Sequence, residues 1–521
     1  MTRFEPARAT AAAPLAALPS ECDVCIIGSG VGGSAVALSL AASGARICIL
    51  ERGERLVREA QNQDPEAVFV ERRYRTRERW LDGAGEPFTP GQYYFVGGHT
   101  KFYGTAMFRL RERDFDATDH EDGSSPAWPL RYADLEPHYA HAERLFGVHG
   151  RAGDDPTEPP RADPYPQPPV PHEPLIGELA ERLRARGLRP FHMPSAIDLR
   201  EGGACVRCGT CDAFPCRYGA KGDAEVCLLD PALRAPNVTL HTGCRVTRLI
   251  ADDAGQRIVA VEIEREGRVQ TLRAALFVLS AGAINSAALL QRSASAQHPN
   301  GLANSSGHVG RHYMNHNTTC LMGLMPWRVN DTRFPKTLTL NDFYFGDATD
   351  PTPLGNLQML GNIQEPMVRA AVPAMPRWAG RTLSRHSVDW LVMSEDLPHA
   401  DSTVRVRADG TIQLNWHRTN QATHQRFVAR SKQLLRDIGF KAVLSRAFGL
   451  DVPSHQCGTV RMGLDPSQAP LDPWCRAWDH ANLYVVDASF FPSSAALNPA
   501  LTVAAQALRV GAHLRAQLHT F

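Results

Sequence analysis

Asp23-Val-Cys-Ile-Ile27 runs directly into Gly28-Ser-Gly30-Val-Gly32-Gly33, and Glu51 closes the next apolar run, Arg46 to Leu50. The first run predicts a short buried strand, Val31 to Ala42 a helix of small and apolar residues, and the second run a returning strand. In such a βαβ opening each glycine has a separate task. Gly28 permits the tight turn, Gly30 lets backbone amides approach a pyrophosphate, and Gly33 allows helix and strand to pack closely. The start of the helix adds unpaired amides and a partial positive charge. Glu51, 23 residues after Gly28, suits a ribose hydroxyl and would repel a 2′-phosphate. A dinucleotide site follows, though this pattern alone does not separate FAD from NAD.

Outward from that opening, residues 154–174 hold nine prolines, which excludes helix or interior strand and predicts an extended connector. Helical periodicity resumes at Leu175 to Arg186. Cys244 to Leu272 alternates around turns at Asp252 to Gly255 and Glu266-Gly267, predicting a small antiparallel meander. Leu276 to Ser280 predicts a buried strand leading into a helix from Asn285 to Arg292. Ser402 to Trp416 alternates about Asp409-Gly410, a hairpin signal. Leu483 to Val486 and Leu501 to Leu514 predict a last buried strand and a last helix. The expected fold class is α/β: a discontinuous Rossmann-like dinucleotide-binding domain (20–310 and 451–521) interrupted by an antiparallel-sheet substrate-binding domain (311–450). The first part contains the proline connector and a cysteine-rich segment, 205–227.

With 521 residues, 43% hydrophobic and 21% charged, the chain suits two or more packed domains. A net charge of +1 without basic runs gives no nucleic-acid surface. No stretch reaches the roughly 18 apolar residues of a membrane span. The Ala- and Pro-rich start lacks an apolar core and twin arginines, so a cytoplasmic protein is expected, with export alongside a partner subunit left open.

Oxidising an alcohol needs a base for the hydroxyl proton, a hydride acceptor and a donor to hold the developing alkoxide. His455, within His455-Gln-Cys-Gly458-Thr459, has the residue type for the first role, although taken alone it reads better as a satisfied core histidine. Asn498, before Pro499, can supply the third but cannot take a proton. Asn498-Pro499 also has the makings of a helix cap with proline at the first position.

Five segments, in this order and spacing, resemble the glucose–methanol–choline (GMC) family of FAD oxidoreductases from about residue 20 to 515. They are Gly28 to Gly33 with Glu51-Arg52-Gly53; Val96-Gly-Gly98-His99-Thr100; Ser280 to Ser286 with Leu289-Leu290; His455 to Gly463; and Val486-Asp487-Ala488 through Asn498-Pro499. The resemblance implies FAD, held by Gly28, Gly30, Gly33, Glu51 and Arg52. Gly98 and Thr100 would lie along the phosphate and ribityl chain, Val246 would meet the adenine, and Asp487 and Ala488 the pyrophosphate. It also implies His455 and Asn498 as the active pair, in the branch that carries Asn at the second position. His312 and His316 fall in a segment the family carries near the flavin, where support or packing is expected of them. The chain departs from the family at His99-Thr-Lys-Phe-Tyr103, where small residues and an Asn are usual. His99 is expected to be a loop histidine rather than a point of covalent attachment.

Cys205-x2-Cys208-x2-Cys211-x4-Cys216 is spaced for an iron–sulfur cluster. One zinc, or free or disulfide-bonded thiols, are the alternatives. The segment resembles a cysteine-bearing insertion in bacterial FAD-dependent sugar dehydrogenases, which implies electron transfer to a cytochrome. Cys227 and the pair Cys22 and Cys25 are expected to be buried. The function expected is oxidation of the CH–OH group of an alcohol, sugar or sterol-like small molecule, with electrons passed to a cytochrome, a small partner subunit or another external acceptor. An oxygen-reducing oxidase, a flavin-containing lyase and an electron-transfer subunit are the alternatives.

Overall fold

The computed structural model describes residues 17–452 and 455–521. Its centre is a five-stranded parallel sheet. In chain order the strands are β1 (Val24–Ile27), β2 (Ile47–Leu50), β3 (Val238–His241), β4 (Leu276–Leu279) and β5 (Leu483–Val485). They lie in the order β5-β4-β1-β2-β3. All four residues of β1, β2 and β4 are buried, as expected of parallel strands covered on both faces. Helix α1 (Val31–Leu40) packs beside the last helix of the chain, Ala500–Gln517. The expected meander is present as Arg245–Ala251, Ile258–Arg265 and Arg268–Arg273.

Three chain segments far apart in sequence meet where β1, β4 and β5 end. A side chain at Gly28, whose φ is +99°, would place its Cβ 2.2 Å from the Ser280 carbonyl oxygen; at Gly32 it would lie 2.1 Å from that of Val486. Ser280 Oγ also accepts the Gly33 amide at 2.8 Å. Backbone packed on backbone leaves no room to relax.

The second layer is an antiparallel sheet of six strands. From one edge to the other these are Ala442–Ala447, Asn317–Leu324, Ser387–Ser394, Asn356–Met359, Leu338–Leu340 and Phe191–His192. Phe191–His192 comes from outside 311–450. The hairpin Thr403–Val406 and Ile412–Asn415 lies within that range but pairs instead with Trp80–Asp82. Leu321, Trp390 and Val392 pack on one side with Leu179 and Leu183 of the helix Pro174–Arg184 and Phe427 of the helix Gln421–Asp437. On the other face Thr318, Cys320, Met322 and Leu391 line the large cavity between the two sheets. Among the described residues no helix is long and apolar enough to cross a membrane.

Gly28→Ala should therefore lower stability by about 2 kcal/mol or more, from the sum of backbone strain and overlap. It should also reduce the FAD content of the purified protein. Thermal unfolding and the ratio of visible to ultraviolet absorbance read the two effects.

Candidate active site

The cavity between the sheets has a volume of about 830 Å3, within the range of cofactor and ligand sites. One end is walled by the glycine loop. Gly30 is the N-cap residue of α1, and a Cβ built there meets no protein atom within 4 Å. The glycine that faces open space is thus the one expected to admit a phosphate. Of the first-turn amides, that of Gly33 is taken by Ser280, while those of Val31 and Gly32 have no intrahelical acceptor.

Glu51 is on the wall of the same end, but most of its carboxylate is already engaged. Oε2 accepts the Ser29 amide at 3.0 Å and the Ser29 hydroxyl at 2.7 Å, and Oε1 accepts the Gly53 amide at 2.8 Å. Burial raises its pKa, and these donors oppose the rise. Arg52 stacks 3.6 Å over the Tyr94 ring and pairs with Glu78 at 2.6 Å. Gly98, Thr100, Val246 and Ala488 line the cavity as well.

Asp487 lines the cavity beside Ala488, with its carboxylate engaged inside the protein. Its Oδ2 accepts from the Gly282 amide and the Ser286 hydroxyl at the start of the helix Ala283–Arg292, and its Oδ1 accepts the Ser489 amide. The carboxylate is occupied with a positive helix end; burial raises its pKa, and the Ser286, Ser489 and Gly282 donors oppose the rise. His99 has its pKa pushed down to about 4 by burial, and it remains a neutral side chain of the loop.

His455 and Asn498 both line the cavity. Met314–Asn315 pairs antiparallel with Gln456–Cys457, Met314 opposite Cys457 and Asn315 opposite Gln456. Continuing that register by one residue sets His316 against His455, and their Nδ1 atoms lie 2.9 Å apart. His316 Nε2 lies 2.9 Å from the Ser494 carbonyl oxygen. A carbonyl has no proton, so His316 Nε2–H must be the donor there. Neutral His316 then accepts through Nδ1, His455 donates through its own Nδ1–H, and the lone pair of His455 is left on Nε2. That lone pair meets Asn498 Nδ2 at 3.2 Å. Gln358 donates to Asn498 Oδ1 at 3.0 Å, which fixes the amide with its NH2 toward the imidazole. Burial, then His316 and Lys336, holds the His455 pKa well below the usual histidine value, and burial lowers that of His316. Pro499, not Asn498, is the N-cap residue of the final helix, so the capping expectation is corrected: the amide is used on the imidazole.

Sequence reasoning left His316 as support or packing and did not single out Gln358 at all. The register of the short ladder that aligns His316 spans more than a hundred residues, and no local pattern encodes it.

The four-cysteine expectation is also corrected. Cys205, Cys208, Cys211 and Cys216 border one small pocket. Among the described residues, however, no three His, Cys, Asp or Glu side chains gather as metal ligands. Cys205 and Cys211 pack against an apolar cluster of Val170, Ile197 and Phe334, while Cys208 is exposed. A centre needs its sulfurs turned toward one point, and the residues present do not fit one. Cys22 and Cys25 are buried as expected, and Cys227 is only partly so.

Models of the GMC oxidoreductase family, N- and C-terminal, match residues 186–318 and 382–507. Over 95% of this chain and 92% of its own length, the 6'''-hydroxyparomomycin C oxidase of Streptomyces lividus is 33% identical. The chain belongs to the GMC oxidoreductase family. The paromamine 6'-oxidase of Streptomyces fradiae is also 33% identical, over 94% of this chain and 90% of that protein. The 2-methyl-1,2-propanediol dehydrogenase of Mycolicibacterium austroafricanum is 28% identical over 94% and 95%. Among solved structures, pyridoxine 4-oxidase from Mesorbium loti superposes with a TM-score of 0.67 at 20% identity, over 94% of this chain and 99% of that one. The GMC chain described here is an FAD-dependent oxidoreductase of CH–OH groups.

Replacing Cys205, Cys208, Cys211 and Cys216 together by Ser should leave the visible spectrum and FAD stoichiometry of the protein unchanged. Metal analysis of the purified wild type should find neither iron nor zinc in stoichiometric amount.

Proposed function

We propose that His455 Nε2 is the base that takes the substrate's hydroxyl proton and that Asn498 Nδ2 holds the oxygen as charge develops on it. The observation that carries this reading is the chain of hydrogen bonds from the Ser494 carbonyl through His316 to His455. It leaves a lone pair on the one imidazole nitrogen that meets Asn498. On protonation of Nε2 the imidazolium keeps its Nδ1–H bond to the neutral His316, which disperses the new charge without moving a second proton. FAD supplies the hydride acceptor, and its pyrophosphate is assigned to the amides beside Gly30 and Gly98, with Ala488 rather than the Asp487 carboxylate at the remaining side. Glu51 keeps acceptor capacity for a ribose hydroxyl, and Val246, Arg52 and Thr100 are assigned to the same cofactor.

The substrate is a small molecule bearing an alcohol. An external electron acceptor reached through a partner subunit is supported by a 25% identical relative named as the large subunit of a fructose dehydrogenase from Gluconobacter japonicus; a cytochrome is one acceptor of that kind. Oxygen as acceptor is supported by the names of the two oxidases at 33% identity. Steady-state turnover with dye or with oxygen as the only acceptor distinguishes the two readings.

In anaerobic stopped flow, His455→Ala should keep its FAD and lose substrate reduction of the flavin by about 10²–10⁴-fold. Wild-type-like reduction in that variant discards the assignment. Because the His455 pKa is depressed, its base form persists as the pH falls. The second-order rate of reduction should therefore stay flat downward through about pH 6.5, the ordinary histidine value, and decline only in more acid solution. An acid limb centred above about pH 7 contradicts this.

A further inference from the structure

We propose that the end of the cavity beyond His455 is an apolar slot for an elongated hydrophobic alcohol, and that it does not serve a sugar or an amino sugar. This rests on the reading of His455 and Asn498 as the site of the carbinol. The slot's floor is the cavity face of the six-stranded sheet. Cys320 and Met322 alternate along one strand, and Leu391 stands opposite Cys320 on the next. A sugar would need hydroxyl, amide and carboxylate groups at these positions. Period-two alternation begins at Thr318, whose hydroxyl is spent on the His316 carbonyl oxygen at 3.1 Å, and then puts sulfur and hydrocarbon there instead.

The roof is a pair of short helices, Glu365–Ala371 and Arg377–Arg385, with the turn between them. They turn Met367, Val368, Val372, Met375 and Leu383 to the cavity. Three of the apolar residues named for floor and roof are methionines, whose unbranched thioethers adapt to ligands of different shape.

The charges of this end disfavour a cationic substrate. Among the described residues its carboxylates are Asp212 and Asp451. Asp212 is taken by Lys336, buried and 2.6 Å away. Arg72, Arg75 and Arg446 are on the same walls, and Nη2 of Arg75 is buried without a hydrogen-bond partner. An ammonium-bearing substrate would thus meet three guanidinium groups, with Asp212 held by Lys336 and Asp451 already in the field of Arg75. The two relatives named for paromamine and hydroxyparomomycin share the family with this chain, but the lining described here does not suit amines of that kind.

The test is a series of straight-chain primary alcohols, propanol to octanol, with paromamine alongside. Affinity is read in the FAD-loaded His455→Ala enzyme from the shift of the visible flavin band, so it does not depend on turnover. Each added methylene should tighten binding about fourfold until the slot is full, and paromamine should bind more weakly than octanol by about a hundredfold or more. Met375→Asp should weaken octanol by about tenfold, a loss expected for exposing most of one apolar side chain's contact, while leaving propanol nearly unchanged; Met375→Leu should restore octanol. A flat series, or tighter binding of paromamine than of octanol, overturns the slot. Failure of every alcohol to reduce the wild-type flavin overturns instead the roles given to His455 and Asn498, and the slope of the binding series still judges the slot by itself.

Discussion

Where β1, β4 and β5 end, backbone meets backbone with no side chain between: Gly28 against the Ser280 carbonyl, Gly32 against that of Val486. The cavity depends on this convergence. Because the three strand ends can close on one another, the loops that follow them share one wall, and the residues after Val486 are carried to the same place as the opening glycine loop. Asp487 then ties the end of β5 to the helix after β4 through Gly282 and Ser286. His455 and Asn498, in the last stretch of the chain, thereby line the same cavity as the glycine loop of the first.

Within that frame the central histidines are arranged to remain uncharged. Burying a charge costs far more than burying a hydrogen-bonded neutral group, and each ring nitrogen of His316 and His455 has a partner: a carbonyl, another imidazole or an amide. The one ion pair named at this cavity's substrate end, Lys336 with Asp212, adds a cation whose field opposes protonation of His455. A base kept neutral by its surroundings is available over a wide range of pH, at the cost of basicity. In the proposed reaction the fixed amide of Asn498 offsets that cost where charge appears on the substrate oxygen.

The two ends of the cavity follow different physics. The cofactor end is built of backbone amides, glycines and hydrogen-bonded carboxylates, which suit a charged dinucleotide. The far end sets hydrocarbon and sulfur of a sheet face and a helix pair beside the guanidinium groups of Arg72, Arg75 and Arg446, a lining that suits apolar matter better than a cation. Relatives are named for substrates as different as 6'''-hydroxyparomomycin C and 2-methyl-1,2-propanediol. A shared scaffold therefore does not fix the substrate.

The sequence by itself determined the elements whose signals are local. The βαβ opening, the meander from Cys244 to Leu272, the hairpin about Asp409-Gly410 and the final helix depend on period, turn residues and glycines that neighbours in the chain supply. His455 and Asn498 were legible for the same reason, as residue types inside short motifs. Only the tertiary structure decided how those two are used. The contact of His455 with His316 spans 139 residues and that of Asn498 with Gln358 spans 140. It likewise took Asn498 away from the helix cap, gave Asp487 to a helix end and kept four closely spaced cysteines from a common centre. In each case several partners satisfy the same polar group, and the choice among them is made by the packing of distant strands, which no window of sequence contains.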